Sequence, residues 1–546
     1  MKKKGVLFIL PAILVIIIFT VGFFTSSWYL NEKVKVRLEN EFSKQTKGQY
    51  SLKIGSMNIS LLAGSIGFTN VSVIPDSLPS NQAAYRIAAK RADFTGLNVL
   101  RFILRKRIIV NSIELQNPSL TVTQAEPGQD KEVKEATPFS LYNVIKVFAN
   151  SLKVREIQIR NFDLKLYASK KDTVPSLYSN NNQLRVINLF VGPSTKKLPG
   201  LFETDSIALV LNKFSYVTSD SLYTFQVARM EVSYQDSLLL FDSVRVIPNY
   251  SKKAFADIAG KQTDRFNIFA GKLEFRSIDL RRFFEHHDLI APALNISAFS
   301  MVAFRDKNDK REFKRPSSLQ KLILTAPVYM RIDTIKLSKS IIAYEEVAPG
   351  KKVPGRITFN DISANFTGLT NDSLLISAGR KLIFNAECRL MDDAPLKATY
   401  IFPMDTRQMV FKCSGFLTGL SMSSLNGMLE PTTGVSLKQG KIDTLDFSFS
   451  AGENESDGRL KLIYNGLKVE LPDNGNEKLK FKDKVMIFVA NNFVLKDSNP
   501  SGKKEPRIAR MHFERNKQRF MFHYTWQTIF SGIKETVGFP DIKPKK

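Results

Sequence analysis

DTLDFSFS (443–450) and GRLKLIYNGLKVEL (458–471) are the two stretches that decide the fold. In the first, Leu445, Phe447 and Phe449 alternate with Asp446, Ser448 and Ser450. A period of two sends successive side chains to opposite faces, so this is a strand with one apolar and one polar face. In the second, Leu460, Leu462 and Tyr464 lead into Asn465-Gly466, and Leu467, Val469 and Leu471 follow. Asn-Gly between alternating runs predicts a tight hairpin, because both residues tolerate positive φ.

Outward from this pair, the period-two pattern extends back to Tyr50. KLIFNAECRL (381–390), LKATYIF (396–402) and RQMVFKCSGF (407–416) read as three successive strands. RIIVNSIELQNPSLTV (107–122), SLKVREIQIRNFDLKLY (151–167) and VYMRIDTIKLSKSIIAY (328–344) share a scheme of strand, short polar break and second alternating run. We read an imperfect repeat of about 15 to 20 residues that places a strand pair in each unit. An ordinary antiparallel protein would also produce such look-alikes. The fold class expected is mainly β: an elongated, curved antiparallel groove with a transmembrane helix before it and an amphipathic helix after it.

Breaks in the pattern divide the chain. Residues 1–30 form an anchor, 31–48 a short amphipathic helix carrying Val34, Val36, Leu38 and Phe42, and 49–125 a first β region. A charged linker (126–140) follows, then a middle β region (141–325), with a helical run at 139–152 and a helix or irregular insertion at 276–295. A last β region spans 326–524 and a helix with a basic tail 525–546. RDKNDKREFKRPSS (305–318) and DSNPSGKKEPR (497–507) are exposed loops. In the final segment RFMFHY (519–524) alternates as a strand, while Phe522, Trp526, Phe530, Ile533 and Val537 fall on one helical stripe ended by Gly538 and Pro540. That helix either caps a sheet edge or docks on a membrane or partner.

The anchor is a 19-residue run without charge, Val6 to Phe24, behind Lys2, Lys3 and Lys4. At 1.5 Å rise per residue it just spans a hydrocarbon layer of about 30 Å, with Val6, Leu10, Leu14, Ile18 and Phe24 along it. Lysines stay cytoplasmic, Trp28 and Tyr29 mark the outer interface, and the rest of the chain is exported. A cleaved signal peptide would have a shorter core and a clearer cleavage site than Thr25-Ser26-Ser27.

The balance of 79 Lys plus Arg against 52 Asp plus Glu gives +27. An exported chain with that charge meets anionic headgroups or acidic glycans rather than nucleic acid, unless the basic surface is simply solvated. Cys388 and Cys413 lie in the outer two of three successive strands, about 9.6 Å apart, beyond disulfide reach. Free, buried thiols are expected.

Walker, G-x-G-x-x-G, H-E-x-x-H, G-x-S-x-G and paired C-x-x-C motifs are missing from the sequence. His286 and His287 are neighbours whose side chains diverge on a helix or a strand, a poor start for a metal site. We expect no catalytic, metal or cofactor residues. Asp-Ser or Asp-Thr followed by an aliphatic recurs at Asp76, Asp172, Asp205, Asp220, Asp236, Asp242, Asp333, Asp372 and Asp443. Such pairs open turns, and the triplet also resembles an O-glycan acceptor pattern of some envelope bacteria.

YSLKIGSMNISLLAGSIGFTNVSVIPDS (50–77), ADFTGLNVLRFILRKRIIVNSIELQNPSLTV (92–122) and GFLTGLSMSSLNGMLEPTTGVSLKQGKIDTLDFSFSAGENESDGRLKLIYNGLKVEL (415–471) resemble the two ends of AsmA-like proteins. With the opening order of anchor and short helix, the likeness covers about a third of the chain and lies in turns and apolar positions. It implies a single-pass, inner-membrane-anchored periplasmic protein of a Gram-negative envelope, related to bridge-like lipid transfer proteins. Phospholipid or another acyl-chain lipid would ride an apolar β groove in support of outer-membrane assembly and lipid homeostasis, with envelope proteins as further partners. The family supplies no catalytic residues. The groove lining read here is Leu445, Phe447, Phe449, Leu460, Leu462, Tyr464, Leu467, Val469 and Leu471. The competing expectation is a non-enzymatic scaffold of closed β sandwiches that binds proteins.

Overall fold

Positive φ at single residues inside long strands shapes this protein. The computed structural model describes residues 31–46, 48–60, 63–76, 83–124, 142, 149–197, 203–308, 317–470 and 495–538. The alternating runs do form strands, and the molecule is mainly β, with mostly antiparallel pairing. By contact it divides into two units, residues 1–244 with 274–288, and residues 245–273 with 289–546.

In the first unit, helix α1 (Asn31–Gln45) buries Leu38 and Phe42 while Val36 stays exposed. Strand β3 (Ser65–Pro75) pairs with β1 (Tyr50–Lys53), β2 (Ser56–Ser60) and β4 (Ala84–Thr95). β4 pairs in turn with β5 (Arg107–Gln116) and β6 (Ser119–Thr123), both of which run parallel to β7 (Ser151–Tyr167). β8 (Leu177–Val191), β9 (Ser206–Val217) and β10 (Tyr223–Ser233) continue antiparallel. The core of this unit runs from Leu38 and Phe42 through Phe68 and Phe94, an edge-to-face pair at 5.8 Å, to Val191.

β11 (Leu238–Pro248) and β12 (Arg265–Arg276) each contribute residues to both units. In the second unit β13 (Leu289–Asp306) runs parallel to β14 (Met330–Val347). From there β15 (Gly355–Thr370), β16 (Lys381–Leu390), β17 (Ala394–Pro403), β18 (Phe411–Ser421), β19 (Ser436–Ala451), β20 (Glu455–Glu470) and β21 (Ile508–Glu514) form an antiparallel meander. Among its helices are α2 (Leu319–Leu324), α3 (Asn426–Thr433) and α4 (Met521–Val537).

Two sequence expectations change here. Asn465-Gly466 is no hairpin turn: β20 runs through it, Gly466 has φ 63°, and the register against β19 shifts nearby. The extra residue of a bulge needs the left-handed backbone that a tight turn needs, so the dipeptide marks both. It also flips the pleat, so Tyr464 and Leu467 share the inner side although they are three apart. Likewise the breaks at 151–167 and 328–344 do not separate strand pairs. β7 and β14 are single strands with Asn161 (φ 55°) and Lys339 (φ 50°) at the break. Only 107–122 is divided, between β5 and β6 at Asn117-Pro118. Comparable residues sit within β8 (Asn181), β9 (Lys213), β13 (Ala298) and β15 (Asp361). Asn side chains stitch two of these together: Asn182 Oδ1 accepts from the Asn212 N–H at 2.8 Å, and Asn212 Nδ2 donates to the Asn181 carbonyl at 2.7 Å.

Smaller differences follow the same logic of long strands. Leu152, expected to end a helical run, lies in β7; the run's centre lies outside the described residues, as does the whole charged linker. In 276–295 a helix occupies only Leu280–His286, and β13 begins at Leu289. Residues 521–524, read as strand, already belong to α4. The three-strand meander of the cysteines is present, and both thiols are free; Cys413 is buried, whereas Cys388 is only half-buried. The expected anchor, Val6 to Phe24 with Trp28 and Tyr29, lies outside the described residues; among those described, no helix is long and apolar enough to cross a membrane.

Candidate functional site

Directly paired residues of adjacent strands share a face, so the register shows which side chains line up across the sheet. In the second unit one row reads Leu294, Ile335, Phe366, Phe384, Tyr400, Cys413, Phe449, Gly458, Met511, one residue from each of β13 to β21. Phe366 and Phe384 stack at 4.3 Å, and Phe384 lies 5.8 Å from Tyr400. The next row reads Ile296, Leu337, Ala364, Ala386, Ala398, Gly415, Phe447, Leu460, Ala509. From β15 to β18 that row carries nothing larger than a methyl group between rows of aromatic and aliphatic side chains. Between these two rows the opposite face carries Asn295, Lys336 and Asn365 in a polar row of its own.

This apolar face differs along its length. Over β17 to β21 it is sealed. Tyr524 of α4 packs edge-on against Phe411 at 5.9 Å, and its hydroxyl donates to the Gly452 carbonyl at 3.2 Å. Thr528 and Ser456 hydroxyls bond at 2.6 Å in a fully buried site. Gly532 brings the helix backbone against the sheet so closely that a Cβ there would lie 2.8 Å from Met511. Over β13 to β15 the same face is half-buried: Ile296, Phe299, Met301, Ile335, Leu337, Ile342 and Phe359 remain partly open to solvent and stand outside the packed core.

The first unit has its own apolar stretch. β9 and β10 pair Tyr216 with Phe225, Phe214 with Val227, Leu211 with Met230 and Leu209 with Val232. The Tyr216 and Phe225 rings are 6.4 Å apart, and Phe225 is 39% exposed. The other face carries Ser215 against Gln226, and Arg229 bonded to Glu231 at 2.8 Å.

Most sequence-predicted lining residues belong to the sealed part. Leu445, Phe447, Phe449, Leu460, Leu462 and Tyr464 lie on one face and are between 0 and 8% exposed. Leu467 and Val469 are half-buried, and Leu471 lies outside the described residues. Burying each large side chain stabilises the fold by about 1.5–3 kcal/mol, which makes these positions structural in the first instance. Sequence reasoning missed the half-open residues. Their signal was present in LVLNKFSYV (209–217) and FSMVAF (299–304), but bulges at Lys213 and Ala298 break the period of two.

On α4 the predicted stripe is split. Phe522, Trp526 and Phe530 are exposed, at 63, 47 and 37%, whereas Ile533 is half-buried and Val537 buried. Trp526 stacks on Phe530 at 5.6 Å, and Lys534 Nζ lies over Phe530 at 5.6 Å. The side facing the sheet is built from Tyr524, Thr525, Thr528, Gly532 and Thr536.

Charge gathers at one margin of this face. Arg305 bonds Asp264 through two contacts of 2.5 and 2.6 Å, Tyr344 donates to Glu346 at 2.6 Å, and Lys307 meets Glu346 at 2.6 Å. Burial, with the positive charges of Lys307 and Arg519, pushes the His523 imidazole down to about 4. Burial raises the Glu345 carboxyl, but ion pairs with Lys252 and Arg356 outweigh it and hold the group below its usual range. Burial pushes the thiols up, Cys388 to about 11 and Cys413 to about 12.

Among the described residues, no cluster of three or more His, Cys, Asp or Glu is placed to hold a metal ion. His286 ends a helix and His287 follows in a left-handed cap. Asp220, Asp236 and Asp372 each serve local turns or caps: Asp220 accepts from the Leu222 N–H at 3.0 Å, Asp236 from the Ser233 hydroxyl at 2.6 Å, and Asp372 from the Leu374 N–H at 2.8 Å. No family model matches the chain, and no curated protein matches it.

Proposed function

We propose that this protein binds the acyl chains of lipids, phospholipids above all, along the half-open apolar faces of its sheets, as an AsmA-like protein anchored in the inner membrane of a Gram-negative envelope with its bulk in the periplasm. One observation carries the reading: apolar rows that run from strand to strand and stay partly open at β9–β10 and at β13–β15. An acyl chain leaving water for such a lining gains about 0.8 kcal/mol per CH₂, and a lining that repeats at each strand, about every 4.8 Å, offers similar stabilisation at each step. Elongated, curved continuity of the groove, conduction along it and support of outer-membrane assembly belong to the same proposal. Headgroups would stay at the polar margin, near Lys307 and Arg305. The exposed stripe of α4 would dock on a membrane or an envelope protein. The reading involves no chemical step and needs no cofactor.

The test is gentle purification from membranes followed by mass spectrometry of the intact complex. Stoichiometric phospholipid that is lost in Met301→Asp and Phe214→Asp variants of unchanged thermal midpoint supports the reading. Lipid-free protein counts against it.

A second reading, a closed β scaffold that binds protein partners, draws on the near-complete burial of Leu445 to Tyr464 beneath α4. A single stoichiometric protein partner with no bound lipid would favour it.

A further inference from the structure

A short helix in the first unit turns its leucines outward. It spans Val99–Arg105, with Asn98 Oδ1 accepting from the Arg101 N–H at 2.9 Å at its start and Lys106 in a left-handed cap at its end. Phe102 packs on the core, and Asn150 Nδ2 donates to the Arg105 carbonyl at 3.2 Å, so the helix is held against the sheet. Leu100 and Leu104, one turn apart, are 67 and 70% exposed. Around them Arg101, Arg105, Lys106 and Arg107 are all exposed, and no acid occurs between Asp93 and Glu114. Two protruding leucines within four cations that form no ion pair with an acid among the described residues suit the boundary between anionic headgroups and acyl chains.

Contacts of α1 show which end of the sheet this is. Thr46, just after the helix, donates to the Tyr50 carbonyl at the start of β1. Further back, Glu39 Oε1 accepts from the Ile54 N–H at 2.8 Å, and Lys35 Nζ donates to the Gly55 carbonyl at 3.3 Å. Moving toward Asn31 therefore follows the sheet from Tyr50 toward Ser60. At that end β2 gives way to β3, and the Leu97 N–H donates to the Gly64 carbonyl at 2.9 Å, leading straight into the leucine-bearing helix. The start of α1, which the chain reaches from residues 6–24, points to the same end as Leu100 and Leu104.

We propose that Val99–Arg107 is a membrane-contact patch resting on the anionic surface of the bilayer that holds the anchor, so that the first unit stands on that membrane with a fixed end down. This rests on reading residues 6–24 as a retained anchor and is independent of lipid in the groove.

The chain has two tryptophans, Trp28 and Trp526. The full chain with Trp28→Phe and Trp526→Phe, carrying either Leu104→Trp or Val174→Trp, is reconstituted in nanodiscs whose phospholipids have brominated acyl chains, with or without phosphatidylglycerol. Val174 is 72% exposed and lies between β7 and β8, at the far end of a strand that begins beside Arg107. At about 3.3 Å per residue the two sites are on the order of 50 Å apart. In anionic discs the Leu104→Trp protein should lose about half its emission, shift to the blue and recover at high salt, while the Val174→Trp protein changes little. Both positions are exposed, so both variants should keep the parent's thermal midpoint. Equal behaviour of the two variants in discs that carry the chain overturns the contact, and equal quenching in neutral discs overturns its electrostatic basis. A chain that fails to co-elute with discs shows, before any fluorescence is read, that the anchor is wrong, and the contact falls with it.

Discussion

His523 and the two cysteines are the residues whose chemistry the fold changes most. An unfolded chain takes up a proton at a histidine near pH 6.5, but folded His523 does so only near 4. Between those values the unfolded state binds more protons, so stability falls as pH drops through that window. Depressed carboxyls such as Glu345 add to the loss further down, because their stabilisation is present above the unfolded carboxyl value and disappears as pH falls through the folded one. His523→Gln should therefore flatten the thermal midpoint between pH 6.5 and 4 relative to the parent; an unchanged slope would show that the imidazole protonates freely in the fold. The thiols, raised to about 11 and 12, should resist a water-soluble disulfide reagent at pH 8 until the protein is unfolded. Rapid labelling of the buried Cys413 in native protein would mean that the sheet opens at β18. Spacing across a strand meander was enough to read both thiols as unpaired. The half-exposure of Cys388 was not legible, because it depends on what covers β16 from elsewhere in the chain.

At the scale of elements, bulges do what the alternation alone does not record. Gly466 has φ 63° and open space where a Cβ would sit, so Gly466→Ala adds strain and little else, about 1–2 kcal/mol by urea denaturation. Asn tolerates the left-handed region better, and Gly466→Asn should cost less than half as much. Equal costs would show that something other than backbone conformation limits that site. Leu460, fully buried under Gly532, should lose about 2–5 kcal/mol on truncation to alanine. Strand existence and facing were legible in Leu445, Phe447 and Phe449, but turn and bulge were not distinguishable at Asn465-Gly466. Both accept positive φ, and what separates them is whether the partner strand runs on. For α4, the stripe of Phe522, Trp526 and Phe530 stood out in the sequence. Its exposure did not, because the inward side is made of Thr528, Gly532 and Thr536, small residues that pack closely without a hydrophobic signature.

For the molecule as a whole, the mainly β class with mostly antiparallel pairing was written in period-two runs from Tyr50 onward. Which parts of the apolar face are filled and which stay open was not, since that depends on the placement of a helix from residues 521–537 on strands that precede it. Under the proposed function the half-open parts hold lipid and the sealed part is structural. Charge in the sealed part, as in Phe447→Asp or Leu462→Lys, should lower the thermal midpoint and lose soluble protein, whereas Phe214→Asp should spare folding. The most direct measurement places a photo-crosslinking amino acid at Phe214 or Met301, on the apolar face, and at Gln226 or Lys336, on the polar one, and analyses adducts after irradiation in native membranes. Phospholipid adducts at the first two positions and none at the other two are predicted. Adducts spread equally over all four, or none at Phe214 and Met301, would contradict the claim that these faces hold lipid.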